Sequence, residues 1–170
     1  MKKALLTGIV ITTVFCGISA LAKMELKLGD AAPEVSVNMI NEKEYGKTFS
    51  LTEFKDKVIV IEFWATWCPP CKESIPHLSK FQEKYKDKVV IIGISNEDKT
   101  VVEEFYNAQK EMKYRVAIDD KDKTYETYMT GFEVNTIPHA FIIKEGKIIW
   151  HGRPLEMDDE LAKAVGNEKK

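Results

Sequence analysis

The chain has 170 residues, 44% of them hydrophobic, enough to bury one substantial core, and its length argues for a single domain with an appendage. Its formal net charge is −2 at neutral pH, and its 25 lysines and arginines are interspersed with 27 acids. That mixture excludes a basic stripe for polyanions, so neither nucleic acid nor an anionic lipid surface is implied as a partner.

The appendage comes first. Lys2 and Lys3 precede an uncharged run over residues 4–22 that closes on Ala20-Leu21-Ala22, the small-x-small pattern of a signal-peptidase site. Residues 1–22 therefore read as a secretory signal peptide and 23–170 as the mature domain. The run approaches the ~20 apolar residues that cross a bilayer, so an uncleaved membrane anchor over 4–22 is the alternative. Cys16 follows the bulky Phe15 and reads as apolar filler of this segment. Its removal with the segment leaves 23 basic and 27 acidic side chains and two cysteines, Cys68 and Cys71.

Residues 23–33 are polar and irregular, and the alternation over 35–40 predicts a first strand. A turn over 42–47 returns the chain to a second strand over 48–51, and Thr52 opens a short helical turn. Residues 58–64, V-I-V-I-E-F-W, have the β-branched and aromatic bias of a strand buried on both faces. Ile75, Leu78, Phe81, Gln82 and Tyr85 then recur at helical spacing. A second buried strand follows over 89–95, and Thr100-Val101-Val102-Glu103 has the capping-box form that opens an amphipathic helix to about Met112. A short strand over 114–118, a short helix over 122–130, a hairpin of 138–143 with 148–151 turning at Glu145-Gly146, and a helix opened by Asp158 and Asp159 complete the pattern. Strands alternating with helices, then a hairpin and a last helix, predict an α/β sandwich with a mixed sheet.

The chemistry gathers where the buried strand hands over to the helix. Pro69 and Pro70 suit a first helical turn, whose amide hydrogens have no intrahelical partner. Cys68 is thereby placed at a helix N-terminus, where backbone N–H groups and the helix dipole stabilise a thiolate. Cys71 lies one turn in, within reach of a disulfide. Such a pair is suited to reversible oxidation, whereas a structural staple generally closes a longer loop.

Two motifs in order, F-W-A-T-W-C-P-P-C over 63–71 and T-I-P over 136–138 before a strand and the turn at Gly146, resemble the thioredoxin fold. More closely they resemble the exported TlpA-type thiol-disulfide oxidoreductases, over about residues 28–165. The resemblance implies a thioredoxin-like sandwich with an extra N-terminal β-hairpin ahead of residue 58. It also implies a cis-proline at Pro138 lying against the cysteine pair. Cys68 would attack a partner's disulfide and Cys71 would resolve the mixed disulfide. Trp67, Pro69, Ile137 and Pro138 would form the surface that receives the partner.

Glu62 matches the buried acid of thioredoxin, six residues before the first cysteine, where it would take the Cys71 proton as a base. The other family pattern, a Glu three residues past the second cysteine, is absent, since Ser74 stands there. The plainer reading of Glu62 is a strand carboxylate reaching solvent or pairing with a lysine, and burial decides between the two. Because Pro69 and Pro70 offer the Cys68 sulfur no amide hydrogens, its thiolate gains only moderate stabilisation, which favours reduction. His139, one step past Pro138, points away from the cysteines by strand alternation. Neither a metal nor another cofactor is expected: the spacing of His77, His139 and His151 is unconvincing for a metal site, and Lys72 replaces the His of a haem attachment motif.

The expected function is thus an exported, extracytoplasmic or periplasmic reductase of protein disulfides, with a disulfide oxidase or isomerase as the alternative direction. A non-catalytic binding module or metallochaperone partner is the reading from another class. Family members commonly serve cytochrome c maturation or copper-centre assembly. The resemblance therefore implies an apocytochrome c or copper-site protein as substrate, and an electron donor in the membrane.

Overall fold

The β-branched run at residues 58–63 becomes the centre of the sheet because every one of its side chains can be covered. In the computed structural model, which describes residues 25–166, strand β2 (Val58–Phe63) is buried along its whole length. It pairs in parallel with β3 (Val89–Ser95) and antiparallel with β5 (His139–Lys144). β4 (Arg115–Asp119) extends the sheet parallel to β3, β1 (Val37–Met39) closes that side antiparallel to β4, and β6 (Lys147–Gly152) pairs antiparallel with β5. The order is β1-β4-β3-β2-β5-β6, a mixed six-stranded sheet. Residues 25–33 are irregular, as expected, yet they cover the free edge of β6. Gly29 N–H donates to Ile148 O, Ile148 N–H to Asp30 O and Ala32 N–H to Gly146 O.

Alternation along β2 divides the core in two. Val58, Val60 and Trp64 face helices α2 (Pro69–Lys84) and α5 (Asp158–Ala164), together with Val102 of α3 (Lys99–Ala108). Ile59, Ile61 and Phe63 face Leu26, Val35, Phe49, Leu51, Tyr128 and Met129 on the other side. Each such side chain contributes about 1.5–3 kcal/mol by burial. The cysteines lie on the first face and His139 on the second, where its Nε2 is 3.0 Å from His151 Nδ1 amid the rings of Phe132 and Phe141. Period-two alternation placed His139 correctly.

The extra N-terminal hairpin does not form. Residues 42–45 are a single helical turn, α1 (Glu42–Tyr45), and 48–50 are irregular, followed by a 3-10 turn at Leu51–Phe54. Phe49 and Leu51 are buried alternately, which gives the strand-like pattern. The Leu51 amide, however, donates to the Glu34 carboxylate at 2.8 Å and not to a strand neighbour. β1 finds its partner in β4 instead. Two further differences are local. Asp98, not Thr100, caps α3, its carboxylate accepting from Thr100 N at 2.8 Å, and α3 ends at Ala108. Met112 prolonged the periodicity because it is buried from the loop beyond the helix. The short α4 (Lys123–Tyr125) runs on into a π-helical turn, Glu126–Thr130.

The segment read as a signal peptide or anchor lies outside the described residues. Among those described, no helix is long and apolar enough to cross a membrane.

Candidate active site

At the end of β2 the chain turns at Ala65-Thr66-Trp67 and enters α2 with Cys68 as its N-cap and prolines in the first two helical positions. Three N-terminal amides would ordinarily point at a capping group, but two of these residues have no N–H. The Cys71 amide is the donor that remains, 3.3 Å from Cys68 Sγ. Cys68 and Cys71 form a disulfide across one helical turn, with Cα atoms 5.3 Å apart. Cys68 is 3% exposed and Cys71 0%, so what a partner can reach of the disulfide belongs to Cys68.

The Ile137-Pro138 peptide bond is cis, and Ile137 O lies 3.9 Å from Cys68 Sγ. With the disulfide closed the sulfur carries no hydrogen, so this is a contact; the reduced thiol could donate across it. The Ile137 N–H has no hydrogen-bond partner among the described residues. Trp67 is 68% exposed beside the disulfide, and Pro69 and Pro70 are exposed next to it. Between Trp67 and Ile137 a cleft of about 180 Å³ opens, reaching Tyr125 and Asn135. Trp64, by contrast, is buried against Phe105, with ring centroids 5.4 Å apart.

Behind the disulfide lies Glu62, and its burial is complete at 0% exposure. The plainer reading of a solvent-reaching carboxylate is thereby excluded. Burial pushes its carboxyl up to about 8, against the smaller opposing effect of the Ser74 hydroxyl. Ser74 Oγ lies 2.7 Å from Cys71 O and 3.1 Å from Glu62 Oε1. A hydroxyl has one hydrogen, and Cys71 O can only accept. Both contacts are satisfied together when Ser74 donates to Cys71 O and a protonated Glu62 donates to Ser74; when Glu62 is ionised the Ser74 hydrogen turns to Oε1, which is how the hydroxyl opposes burial. Ser74 stands where the second family pattern has its Glu, and it connects the strand acid to the backbone of Cys71.

One residue of the site gave no sign in the sequence. Glu97, beyond the end of β3, accepts from Thr66 N and Thr66 Oγ1, both at 2.7 Å, and from Ser95 Oγ at 3.0 Å. It anchors the turn that carries Trp67 and Cys68. It sits 31 positions from Thr66 in a polar loop, where local spacing has no means of pairing them. Among the described residues no group of three or more His, Cys, Asp or Glu is disposed to hold a metal ion. His77 instead ties α2 to α5, with Nε2 2.8 Å from Asp158 Oδ1.

A cysteine pair across a helix start, with a proline loop against its outer sulfur and a buried acid behind its inner one, can when reduced exchange with a second disulfide and manage the accompanying proton. Comparison with known proteins agrees. The AhpC/TSA family model matches residues 28–151. The thiol-disulfide oxidoreductase ResA of Bacillus cereus (strain ZK) is 30% identical over 158 residues, covering 87% of each chain. ResA of Bacillus subtilis (strain 168) is 29% identical over 140 residues, covering 81% of this chain and 73% of that one. Among solved structures, the thioredoxin domain of a thiol-disulfide oxidoreductase from Bacteroides vulgatus superposes with a TM-score of 0.65 at 25% identity, covering 83% of this chain and 99% of the other. The chain belongs to the AhpC/TSA family and is, within it, a thioredoxin-fold thiol-disulfide oxidoreductase of the TlpA/ResA type.

Proposed function

We propose that the chain works as a reductase of protein disulfides outside the cytoplasm, and that Cys68, Cys71, Glu62 and Pro138 carry the reaction. The reduced enzyme attacks a partner disulfide with the Cys68 thiolate. A Cys68–partner disulfide forms, the partner's other sulfur leaves as a thiolate, and that thiolate takes a proton from solvent. Cys71 then gives its proton to Glu62 and attacks Cys68 Sγ. The intramolecular disulfide closes and the partner's second sulfur departs, so two electrons have passed to the partner. No cofactor is needed for this cycle.

The observation that carries the direction is the single amide, Cys71 N–H at 3.3 Å, left to serve the Cys68 sulfur by the two prolines. Few donors leave the thiolate little stabilised, and a couple whose reduced form is little stabilised is a reductant. Equilibration with a dithiol of known potential tests this. The reading expects a value near the about −270 mV of a reducing thioredoxin, and a value near the about −120 mV of a strong oxidant would turn it into an oxidase.

Docking uses Trp67, Pro69, Ile137 and Pro138. The unpaired Ile137 N–H and its carbonyl can bond an extended partner segment by strand addition, which would lay the partner's disulfide beside Cys68. The partners that fit are proteins with accessible disulfides, an apocytochrome c or a copper-site protein in the family's usual setting, with a membrane protein returning the electrons. Export rests on residues 1–22, cleaved as a signal peptide or retained as an anchor over 4–22, ahead of a catalytic domain over 23–170. N-terminal sequencing of the protein from the native membrane and soluble fractions distinguishes the two, and an intact N-terminus on cytoplasmic protein would overturn both.

A further inference from the structure

Glu62 does not stand alone behind the disulfide. Three buried side-chain atoms have no hydrogen-bond partner among the described residues: Glu62 Oε2, Trp64 Nε1 and Tyr114 Oη. Leaving one such group unpaired is costly, and three in one small domain call for a physical reason.

They share one place. Glu62 pairs in register with Gly93 on the neighbouring parallel strand, so the two positions face the same side of the sheet. Trp64, two residues past Glu62 and just beyond β2, and Tyr114, two residues before the Val116 that pairs with Gly93, face that side as well. A Cβ built on Gly93 would stand 3.0 Å from Trp64 Nε1 and 3.1 Å from Tyr114 Cε2. The missing side chain of Gly93 is therefore what lets the indole and the phenol ring close over this strand position, beside the Glu62 that pairs with it.

We infer that Tyr114 is a positioning residue for the resolving step, its hydroxyl and the Trp64 N–H being the donors that join Ser74 in stabilising Glu62 as a carboxylate when it is to take the Cys71 proton. The inference rests on the proposed role of Glu62 as that base. Neither donor is engaged by another group among the described residues, so both are free to serve Oε2 when Glu62 ionises. Apart from the Ser74 hydroxyl, which serves Oε1, the other surroundings of Glu62 leave Oε2 to these donors. α2 presents Ser74 and Cys71, β3 presents Gly93 and β5 presents Ala140. Arg115, beside Tyr114, lies over the rings of Tyr45 and Phe54 on the opposite face. Tyr114, on the same side of the sheet, and Cys71, linked through Ser74, are thus the titratable groups that face Glu62. The electrostatic link is visible from the other side too: burial first, and the Glu62 charge second, raise the Tyr114 hydroxyl well above its ordinary value.

Tyr114→Phe keeps the ring and removes the donor. Because the hydroxyl has no protein partner, its loss should leave the fold intact. In the oxidised variant the carbonyl infrared band of protonated Glu62, isolated by subtracting the spectrum of Glu62→Gln, should titrate about one pH unit higher than in the wild type. Release of the mixed disulfide should slow about tenfold at a fixed pH below that midpoint, that being the factor one unit represents. Formation of the mixed disulfide should not change. An unshifted Glu62 titration in a folded Tyr114→Phe variant overturns this inference and leaves the base role standing. A resolving step whose pH dependence survives in Glu62→Gln overturns the base role itself, and this inference with it.

Discussion

Ser74 Oγ stands 3.1 Å from Glu62 Oε1, so a helix serine one turn past Cys71 touches a strand acid that lies entirely inside the protein. The acid of this site comes from the sheet, and the helix position where relatives of the family can carry it supplies a hydroxyl instead. An acid held near neutrality can both take and return a proton at the working pH, which an exposed carboxylate cannot.

Replacement of Glu62 by Gln keeps the shape and the Ser74 contact while removing the base. Release of the mixed disulfide should slow by about 10²-fold, the lower end for loss of a general base, with its formation unchanged. Rapid quenching with an acid trap resolves the two phases. Equal slowing of both would return Glu62 to a structural role.

Stability should depend on pH in a defined window. Burial lifts Glu62 from 4.5 to about 8, so between these values the folded protein holds a proton the unfolded chain has lost, and stability falls as pH rises. Burial, and then the neighbouring His151, depress His139 from 6.5 to about 4, so stability from this group is lost as pH falls through that range. The two slopes oppose each other between pH 4.5 and 6.5 and leave Glu62 alone between 6.5 and 8. The oxidised wild type should lose about 2 kcal/mol across that upper window, at 1.36 kcal/mol per unit, and Glu62→Gln should lose almost none. Urea midpoints at the two pH values measure the difference; parallel behaviour of the two proteins would contradict the assignment.

Glu97 holds Thr66 through two bonds of 2.7 Å. Its replacement by Ala leaves the Thr66 amide without that acceptor and frees the turn before Cys68. We expect a loss of about 2 kcal/mol by chemical denaturation, the usual value for hydrogen bonds to a charged group. Reduction of protein disulfides should fall further than reduction of a small disulfide, since Trp67 rides on the same turn. Unaltered stability would mean that the turn is held by other contacts.

Pro138 fixes the loop that presents Ile137 O 3.9 Å from Cys68 Sγ, and its ring removes one backbone rotation and one donor. In Pro138→Ala the Ile137 backbone loses that restraint. Activity on protein disulfides should drop about tenfold or more, as for other misplacements of a docking surface. Alkylation of reduced Cys68 by a small reagent, which needs no docking, should proceed at the wild-type rate. A parallel fall in both rates would show that Pro138 acts on the thiol and not on docking.

The central strands were legible because they are buried on both faces, which leaves an unbroken β-branched run, and the expected bounds of β3 coincide with the observed ones. The placement of Cys68, Cys71 and Glu62 together was legible because strand, turn and helix start are contiguous in the chain. Most of what failed depended on partners distant in sequence, and the cap of α3 failed locally. The alternation at Phe49 and Leu51 was real, but the Glu34 carboxylate took the amide that a strand neighbour would have used. Asp98 outcompeted Thr100 as a cap because its carboxylate reaches the Thr100 amide. Glu97 and Tyr114 carry no local signature: one is a loop acid, the other a tyrosine ahead of a short strand, and only the fold brings them to Thr66 and to Gly93.

The division of labour between the two cysteines is the core of this account, and a trapping experiment reads it directly. Reduced Cys71→Ser protein, mixed with a disulfide-bearing protein substrate, should accumulate a one-to-one covalent complex through Cys68 that dissolves on addition of dithiothreitol, while Cys68→Ser should form none. Stoichiometric binding that persists unchanged in Cys68→Ser would contradict the account and make the chain a binding module whose cysteines are idle.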